Sequence, residues 1–371
     1  MCMSARSRSL EERIAEEIRR AGPMLFSRFM EVALYDPEVG YYAAGRARIG
    51  RSGDFFTNVS VGPLFGAILA GQILELRAML GNPDDFFIVE QGANDGRLAK
   101  DVIHALQAAG CGEIPYWIVE PFENRRSEQS RTLYGENVCW ISSPEELPEG
   151  SGVHFSNELF DALPFDIAES DGSKWHLKAV EEHGSTFRFM AGPAVDRLPV
   201  RPAGFCLEIR RGQAELFRAL AGRFTQGFLL MIDYGFERHE LLAPHRAGGT
   251  LACYKHHQRD DNPLEDPGGK DITAHVDFTT LREEAAAGGW TIVGSLDQHR
   301  FMVGAAESLL KSLDGRVPDT ASAKILRQWR TLMHPATMGT QFRAALFSKG
   351  VDCPEGRPSG FRYARAVVLD S

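Results

Sequence analysis

The sequence predicts an α/β fold in which a doubly wound, mostly parallel sheet carries helices on both faces. Strand-like apolar runs recur along the chain, and segments with helical periodicity lie between them. Alternation of this kind favours parallel strands joined by helical crossovers. The strand-like runs are 86–90, 116–120, 138–141, 153–156 and 228–233, and the helical segments between them are 98–108, 124–133 and 214–223. Ligands of such sheets bind beyond the carboxyl ends of the strands.

Three parts of the chain stand outside this alternation. Residues 1–80 begin with an amphipathic helix in "LEERIAEEIRRAG" and are rich in aromatic residues and glycine. We expect them to form an N-terminal helical and aromatic extension that covers the cofactor site, and residues 81–371 to form the main domain. Within that domain, a polar stretch at about 165–205, with a hairpin at Asp171-Gly172, predicts an inserted β-rich substrate lid. A helical insertion is expected at about 304–345, before "FRYARAVVL" as the final strand.

Charge and hydropathy exclude several classes of function. The 41 basic and 50 acidic residues give a net charge of −9, which disfavours a nucleic-acid partner. No stretch approaches the roughly 20 apolar residues that span a bilayer, so we expect no membrane span. The start, "MCMSARSRS", has no hydrophobic segment of a secretory signal and no convincing organelle signal, so we expect a bacterial cytoplasmic protein. The sequence does not reveal the oligomeric state.

The cysteines and histidines predict no metal site. Six scattered cysteines form no C-x-x-C pair, a pattern that favours reduced thiols over disulfides. His256 and His257 are the only histidine cluster, and adjacent histidines on a loop are more often solvated than metal ligands.

The stretch "VEQGANDGRLAKDVI" (89–103) has the pattern of a strand, a sharp turn and a helix. Gly92 and Gly96 allow a positive φ or a close approach of the backbone to a ligand. Asn94 stands where a middle glycine is expected, and asparagine tolerates the left-handed region best among the other residues. The N–H groups at the helix start would face an anionic ligand group. A purely structural corner explains the same pattern.

Glu120 favours a nucleoside-type cofactor over that structural corner. It ends the second strand about two dozen residues after the glycines, where a carboxylate can accept both ribose hydroxyls of an adenosine. The alternative is a solvated strand end. A dinucleotide needs small residues around its pyrophosphate, whereas Asn94 would crowd it and Asp95 would repel it. S-adenosylmethionine carries no phosphate and has a positive sulfonium. An acidic turn therefore favours S-adenosylmethionine over NAD as the cofactor.

Further motifs give the chain a family resemblance. They are "GPMLFSRFMEVALYDPEVGYY" (22–42), "GDFFT" (53–57), "NELFDALPFD" (157–166), "MIDYG" (231–235) and "GTLACYKHHQRDDNPLEDPGGKDITAHVDF" (249–278). Together they resemble the family of class I S-adenosylmethionine-dependent methyltransferases that includes the mitochondrial complex I assembly arginine methyltransferase. The resemblance covers nearly the whole chain. It implies a Rossmann-like methyltransferase domain and S-adenosyl-L-methionine as the cofactor.

The resemblance also implies site residues. It places Glu90, Gly92, Asn94, Gly96 and Glu120 around the cofactor, and Gly53, Asp54 and Thr57 over its methionine end. Asn157, Glu158 and Asp161 follow the fourth strand, at the turn that faces the methyl group and the acceptor in this architecture, so they are the candidate catalytic residues. Without the family, Asn157 could be a turn residue and the two acids solvated groups at a helix start.

The chain departs from the family at two places. Asn94 replaces the middle glycine of the turn, and Asn58-Val59-Ser60 follows Thr57 where the family has Pro-Glu. The first departure leaves cofactor binding feasible. The second removes a glutamate, so a substrate role of that glutamate does not carry over.

Two further pairs of residues each have two alternative roles. Asp233 and Tyr234, after the fifth strand, could cap the backbone or face the acceptor. His275 and Asp277 could form a catalytic dyad, although capping of a helix by Asp277 is the preferred interpretation.

The resulting hypothesis is a methyltransferase that modifies a protein arginine, held by the carboxylates of Glu158 and Asp161 through charge-assisted hydrogen bonds. The protein substrate could be a subunit of a respiratory complex. The alternatives are a methyltransferase with a small-molecule acceptor and an assembly factor that binds S-adenosylmethionine without catalysis.

Overall fold

The computed structural model describes residues 9–44, 58–255, 258–313, 319–334, 339–351 and 357–364. The elements within these ranges alternate between helices and strands along most of the chain. In chain order they are α1 (Leu10–Ala21), β1 (Met24–Leu25), α2 (Phe26–Tyr35), α3 (Asn58–Val61), α4 (Leu64–Met79), β2 (Phe86–Gln91), α5 (Arg97–Ala108), β3 (Tyr116–Val119), α6 (Glu123–Thr132), β4 (Val138–Ile141), β5 (Gly150–Asn157), β6 (Phe165–Ser170), β7 (Trp175–His183), β8 (Thr186–Val195), β9 (Cys206–Arg210), α7 (Gln213–Arg223), β10 (Phe224–Phe236), α8 (Arg238–Leu241), β11 (Ala252–Lys255), β12 (Gln258–Asp260), β13 (Asp271–Thr273), β14 (Val276–Asp277), α9 (Phe278–Ala287), β15 (Thr291–Asp297), α10 (Gln298–Ala305), α11 (Glu307–Leu313), α12 (Thr320–Met333) and β16 (Phe342–Lys349).

The chain divides into two compact units. One unit consists of residues 1–55, 162–211 and 237–275, and the other of residues 56–161, 212–236 and 276–371. No helix within the described ranges is both long enough and apolar enough to cross a membrane.

The second unit contains the main sheet, in the order β15-β16-β10-β5-β2-β3-β4, with β14 paired to β10. The pairs from β10 through β5, β2 and β3 to β4 are parallel. Strand β16 is antiparallel to both β10 and β15. This mixed, mostly parallel sheet confirms the predicted fold class.

Strand order locates the binding edge of this sheet. From β2 the chain adds β3 and then β4 on one side, and it returns with β5 on the other side of β2. The order therefore reverses between β2 and β5, and sheets of this type bind ligands at the carboxyl edge of such a switch point. Strand β2 ends at Gln91 and β5 at Asn157, immediately before the two turns that the sequence singled out.

Helices cover both faces of the main sheet. On one face, α4 and α5 pack against alternate strand residues such as Ile88, Val153 and Leu346, all fully buried. Neighbouring residues of a strand point to opposite faces. Phe347 accordingly contacts Phe217 of α7 on the other face, with ring centroids 6.0 Å apart. Strands β2, β5 and β10 are buried over most of their length, as expected for the central strands of a sheet that is covered on both faces.

The first unit contains the β-rich segment that lies, in the sequence, between strands β5 and β10 of the main sheet. Strands β6, β7 and β8 form an antiparallel meander, and β1 and β9 pair with β7 and β6. The predicted hairpin at Asp171-Gly172 is confirmed, since it joins β6 to β7 and Gly172 has a φ of 97°. Helices α1 and α2 pack on this sheet through residues such as Ile14, Phe26 and Phe29. The lid and extension roles of these segments stay predictions.

The predicted final strand, "FRYARAVVL", is wrong where the structure describes it. Ser359–Phe361 form a 3₁₀ turn, and the last described strand of the sheet is β16. Local turn bonds explain the difference, because Phe361 N donates to the main-chain oxygen of Pro358 at 2.8 Å and Ala364 N donates to that of Phe361 at 2.9 Å. These N–H groups are therefore not available for a strand ladder.

Candidate active site

The turn after β2 has three residues in the left-handed region. Gly92 and Gly96 both have a φ of 82°, and Asn94 has a φ of 46°. The prediction that Asn94 adopts this region in place of glycine is confirmed. A Cβ on Gly92 would lie 3.3 Å from Leu159 Cδ1, so the turn is also closely packed against the turn after β5.

Side chains of α6 hold this turn in place. Arg125 Nη1 donates to Asn94 Oδ1 at 3.2 Å, and Gln129 Nε2 donates to the Asn94 main-chain oxygen at 2.9 Å. Asp95 receives bonds from Arg97, at 2.7 Å from Nε and 3.2 Å from the main-chain N. The Arg97 guanidinium offsets the Asp95 charge, and this weakens the electrostatic argument against a phosphate-bearing cofactor.

Glu120 follows β3 and is buried, with 7% of its surface exposed. Its Oε1 accepts from Phe122 N at 3.0 Å, and its Oε2 accepts from Gln129 Nε2 at 3.1 Å. Burial raises the pKa of this carboxyl, while the bond from Phe122 N opposes that increase. A carboxylate oxygen can accept two hydrogen bonds, so both oxygens retain capacity for ribose hydroxyls. The solvated-end alternative does not describe a buried, hydrogen-bonded group.

Glu90 lies one residue before the end of β2 and is almost fully buried. The Tyr116 hydroxyl donates to its Oε2 at 2.5 Å. Burial raises the pKa of Glu90 to about 7, and the bond from Tyr116 limits the increase. The turn, the buried Glu120 and the carboxylate of Glu90 fit an adenosine cofactor with a cationic end, which these acids would balance.

The turn after β5 is organised by Asp233. Its Oδ2 accepts from three consecutive main-chain N–H groups, at 3.1 Å from Leu159, 2.8 Å from Phe160 and 3.3 Å from Asp161. Its Oδ1 accepts from Tyr234 N at 2.8 Å. Of the two roles left open for Asp233, the structure supports capping of the backbone.

Glu158 occupies a strained position in this turn. Its φ of 56° is rare for a residue with a Cβ, and such strain concentrates at functional sites. The half-buried side chain accepts from Asn157 Nδ2 at 2.9 Å through Oε1. It also hydrogen-bonds the Tyr234 hydroxyl and the main-chain N–H of Asn58.

The turn after β5, residues 157–161, carries two neighbouring carboxyl groups that are largely removed from water. Burial raises the pKa of Glu158 to about 8, and the negative charge of Asp161 adds to the increase. Asp161 itself is buried, with 8% of its surface exposed. Two neighbouring carboxylates that repel each other are stabilised when a cation binds between them. The structure therefore brings Asn157, Glu158 and Asp161 together, as the resemblance implied.

Sequence reasoning missed two buried amides at this site. Asn58, which directly follows "GDFFT", donates through Nδ2 to Asn157 Oδ1 at 3.2 Å. Gln298, at the start of α10, pairs with Asn58. The departure from Pro-Glu could have drawn attention to Asn58, but no pattern in the sequence identifies Gln298.

Several predicted residues cannot be placed in the site. Gly53, Asp54 and Thr57 lie outside the described residues, and so do His256 and His257. Their predicted roles stay predictions. Among the residues that the structure describes, no group of three or more His, Cys, Asp or Glu could hold a metal ion.

Asp277 has the structural role that was preferred for it. It is the N-cap of α9, where its Oδ1 accepts from Thr279 N at 2.9 Å and Thr280 N at 3.2 Å. His275 is mostly buried in the other unit, and burial together with nearby arginines lowers its pKa to about 4. Its imidazole therefore stays neutral through the physiological range.

The long 249–278 motif is a scaffold in the first unit over much of its length. Glu208 accepts from Thr250 N and Leu251 N at 2.8 and 2.9 Å. The Arg210 guanidinium donates to the main-chain oxygens of Ala274 and His275 at 2.5 and 2.9 Å. These bonds satisfy backbone groups near both ends of the segment and join them to β9.

Comparisons with known proteins agree with this geometry. Curated relatives include the protein arginine methyltransferase NDUFAF7 homolog of Drosophila melanogaster, which is 28% identical and covers 92% of this chain and 85% of its own length. Human protein arginine methyltransferase NDUFAF7 is 26% identical and covers 94% of this chain and 84% of its own length. Both are named as mitochondrial proteins.

A solved structure supports the cofactor. The crystal structure of a Burkholderia thailandensis protein bound to S-adenosyl-homocysteine is 30% identical, with a TM-score of 0.86 over 96% of this chain and 95% of that chain. S-adenosyl-homocysteine is the product that S-adenosylmethionine leaves after methyl transfer. Residues 68–296, more than half of the chain, match a family of S-adenosyl-L-methionine-dependent methyltransferases. The predicted cofactor is thereby confirmed, and the chain belongs to this methyltransferase family.

Proposed function

We propose that the enzyme methylates a nitrogen of an arginine side chain in a protein. The observation that carries this proposal is the pair of Glu158 and Asp161 on the turn after β5, at the switch point of the sheet. A planar guanidinium offers several N–H donors in a fixed geometry and matches two carboxylates better than an ammonium does. The names of the curated relatives, which are protein arginine methyltransferases, support the same acceptor.

The desolvated setting of Glu158 suits the proton that this reaction releases. When bound, S-adenosylmethionine supplies a methyl group on a sulfonium, and the S–CH₃ bond breaks as the N–CH₃ bond forms. The attacking guanidinium nitrogen loses one proton, so the methylated product keeps a single positive charge. Glu158, with a pKa of about 8, can accept that proton in its ionised form, which predominates above that pH. Asp161 stays next to the cation and offsets its charge.

Positioning contributes the rest of the catalysis. A well-aligned nitrogen and methyl group can lower the barrier by about 7–11 kcal/mol, so no strong base is required. The backbone bonds of Asp233 fix the turn that carries both carboxyl groups. The chain thus supplies orientation, exclusion of water and a proton acceptor.

Identification of the methylated product tests the acceptor. The protein is incubated with methyl-labelled S-adenosylmethionine and a lysate, and labelled proteins and small molecules are separated and analysed by mass spectrometry. We expect methylated arginine in a protein band. Label that appears only in a small molecule would replace arginine by the small-molecule alternative. Cofactor binding without any labelled product would favour the non-catalytic assembly factor.

The natural protein substrate and the location are further proposals. A subunit of a respiratory complex is the substrate class that the resemblance implies, and a bacterial cytoplasm is the expected location. Fractionation of the source cells, followed by immunodetection, tests the location independently of the activity.

A further inference from the structure

A chain of amide side chains leads from the end of α12 to the Glu158 carboxyl group. Asn58 and Gln298 are fully buried and form a reciprocal pair, in which each side chain donates to the other at 2.9 Å. Asn58 Nδ2 also donates to Asn157 Oδ1 at 3.2 Å. Asn157 Nδ2 in turn donates to Glu158 Oε1 at 2.9 Å. All these groups belong to the second unit.

The donor and acceptor directions in this hydrogen-bond network are fixed at the end that lies farthest from Glu158. Gln298 Nε2 faces the main-chain oxygen of Leu332 at 3.4 Å, in the last turn of α12, where carbonyl groups lack partners within the helix. A carbonyl oxygen only accepts, so the N–H end of the Gln298 amide must point toward Leu332. Rotating this amide by 180° would place two acceptor oxygens against each other.

The orientation of each amide group determines the orientation of the next one. Because the Gln298 oxygen must face Asn58 Nδ2, the remaining N–H of Asn58 points to the oxygen of Asn157. The Asn157 amide then has only its N–H end to present to Glu158. An N–H donor favours a carboxylate over a neutral carboxyl group, because it stabilises the negative charge.

We propose that Asn58 and Gln298 are positioning residues of the acceptor site, which orient the Asn157 amide so that its N–H end stabilises the ionised, cation-binding form of Glu158. The inference rests on the proposed role of Glu158 in binding the acceptor. Burial and the Asp161 charge both oppose ionisation of Glu158, whereas the Asn157 amide, the Tyr234 hydroxyl and the Asn58 main-chain N–H favour it as donors. Without the network, Asn157 could turn its oxygen toward a protonated Glu158 and stabilise the inactive form. Fixed dipoles of this kind are effective because they need no reorganisation during the reaction.

The decisive variant is Gln298→Met, which keeps the length of the side chain and removes its hydrogen bonds. The matched control is Gln72→Met. Gln72 is also buried. Its Nε2 donates to Glu75 Oε2 at 3.0 Å, its Oε1 accepts from Gly360 N at 2.9 Å, and neither bond reaches the turn after β5. Both variants lose a buried amide in the same unit, so a general loss of stability would affect both.

The readout is the titration of Glu158 itself, followed by carbon-13 NMR of protein labelled at its glutamate carboxyl groups. The Glu158 signal is identified by its disappearance in Glu158→Gln. We expect Gln298→Met to move the titration midpoint upward by about one pH unit, the size expected for one lost hydrogen bond to a carboxylate. Gln72→Met should leave the midpoint where it is in the unmodified protein.

A second variant covers the case in which Gln298→Met does not fold. Asn58→Ala interrupts the same hydrogen-bond network one step closer to Glu158, and it keeps the main-chain N–H of residue 58 that bonds Glu158. It should therefore raise the titration midpoint of Glu158 as well. An unchanged midpoint in either folded variant would overturn the positioning role. The titration needs no acceptor, so a failure to methylate arginine would refute the proposed function and leave this result standing.

Discussion

Asp233 accepts a 2.8 Å hydrogen bond from the main-chain N–H of Phe160, 73 residues earlier in the chain. The same carboxylate oxygen binds the N–H groups of Leu159 and Asp161. The turn after β5, which carries Glu158 and Asp161, is therefore shaped by a side chain of the neighbouring strand β10. The backbone of this turn, including the positive φ of Glu158, depends on one buried acid.

Replacement of that acid should destabilise the protein. Asp233→Ala would leave several buried N–H groups without an acceptor, and we expect the free energy of unfolding to fall by about 3 kcal/mol. Urea denaturation measures this change. Asp84→Ala, which removes an exposed carboxylate, is the control and should have little effect. A loss below 1 kcal/mol for Asp233→Ala would mean that water or another group replaces the cap.

Gly96→Val should abolish binding of S-adenosylmethionine while the protein stays folded. A β-branched residue resists a φ of 82°, and its Cβ would lie 3.3 Å from Leu133 Cδ1, so the turn and the start of α5 must shift. Calorimetric titration measures the affinity. Gly71→Val is the control, because Gly71 lies within α4 with no atom within 4 Å of an added Cβ. Normal binding by the Gly96 variant would make the turn a structural corner only.

Glu120→Ala should weaken binding of S-adenosyl-homocysteine. Each lost charged hydrogen bond to a ribose hydroxyl corresponds to roughly 1.5–3 kcal/mol of binding free energy. The exposed Glu113→Ala is the control, and NAD should give no binding heat with either protein. Because Glu120 also accepts from Gln129, circular dichroism should verify the fold before affinity is compared. An unchanged affinity in a folded variant would show that Glu120 serves the α6 helix alone.

The sequence predicted the conformation of the turn after β2 well, because the signals there are local. Gly92, Asn94 and Gly96 lie within one turn, and their backbone requirements follow from residue type. The position of Glu120 at a strand end follows from counting residues along two predicted strands. Parallel strand ends meet at one edge, so the approach of the β2 and β5 turns was also foreseeable.

The turn after β5 depends instead on contacts that are distant in sequence. Gln298 reaches Asn58 across 240 positions, and nothing in its neighbourhood marks it as different from any helix residue. The direction of that amide pair depends on Leu332, whose backbone carbonyl has no sequence signature. The sequence leaves the role of Asp233 open for the same reason, since its partners lie more than 70 residues away, on the turn after β5. Hydrogen bonds between buried polar groups that are distant in sequence can be identified only when the fold is known.

The pH dependence of catalysis should report on Glu158. Its pKa of about 8 means that the carboxyl group is mostly protonated at lower pH, and a cationic acceptor binds the ionised form. We therefore expect kcat/KM to rise with pH up to about 8 and then to level off. Asp161→Asn should shift the rise to lower pH, because the neighbouring charge that raises the pKa of Glu158 is removed. A rise that persists in Glu158→Gln would belong to another group, for which Glu90, with a pKa of about 7, is the first candidate.

The sharpest prediction concerns the two carboxyl groups that are proposed to hold the acceptor. Glu158→Gln and Asp161→Asn change charge with little change in shape, so packing around the turn should be preserved. Each removes part of the negative charge that faces a desolvated guanidinium, and an uncompensated buried cation is strongly disfavoured.

We expect each of these variants to lower methyl transfer at least tenfold, which corresponds to about 1.4 kcal/mol in barrier. Affinity for S-adenosyl-homocysteine should barely move, which separates this effect from loss of the cofactor. Glu145→Gln, an exposed acid of the same unit, provides the control for a general effect of charge. Arginine is the acceptor that this pair of acids fits best, because lysine must lose its proton before attack and has no fork to match two carboxylates. Full activity in both variants would remove the guanidinium clamp, and the assignment to the methyltransferase family would be unaffected.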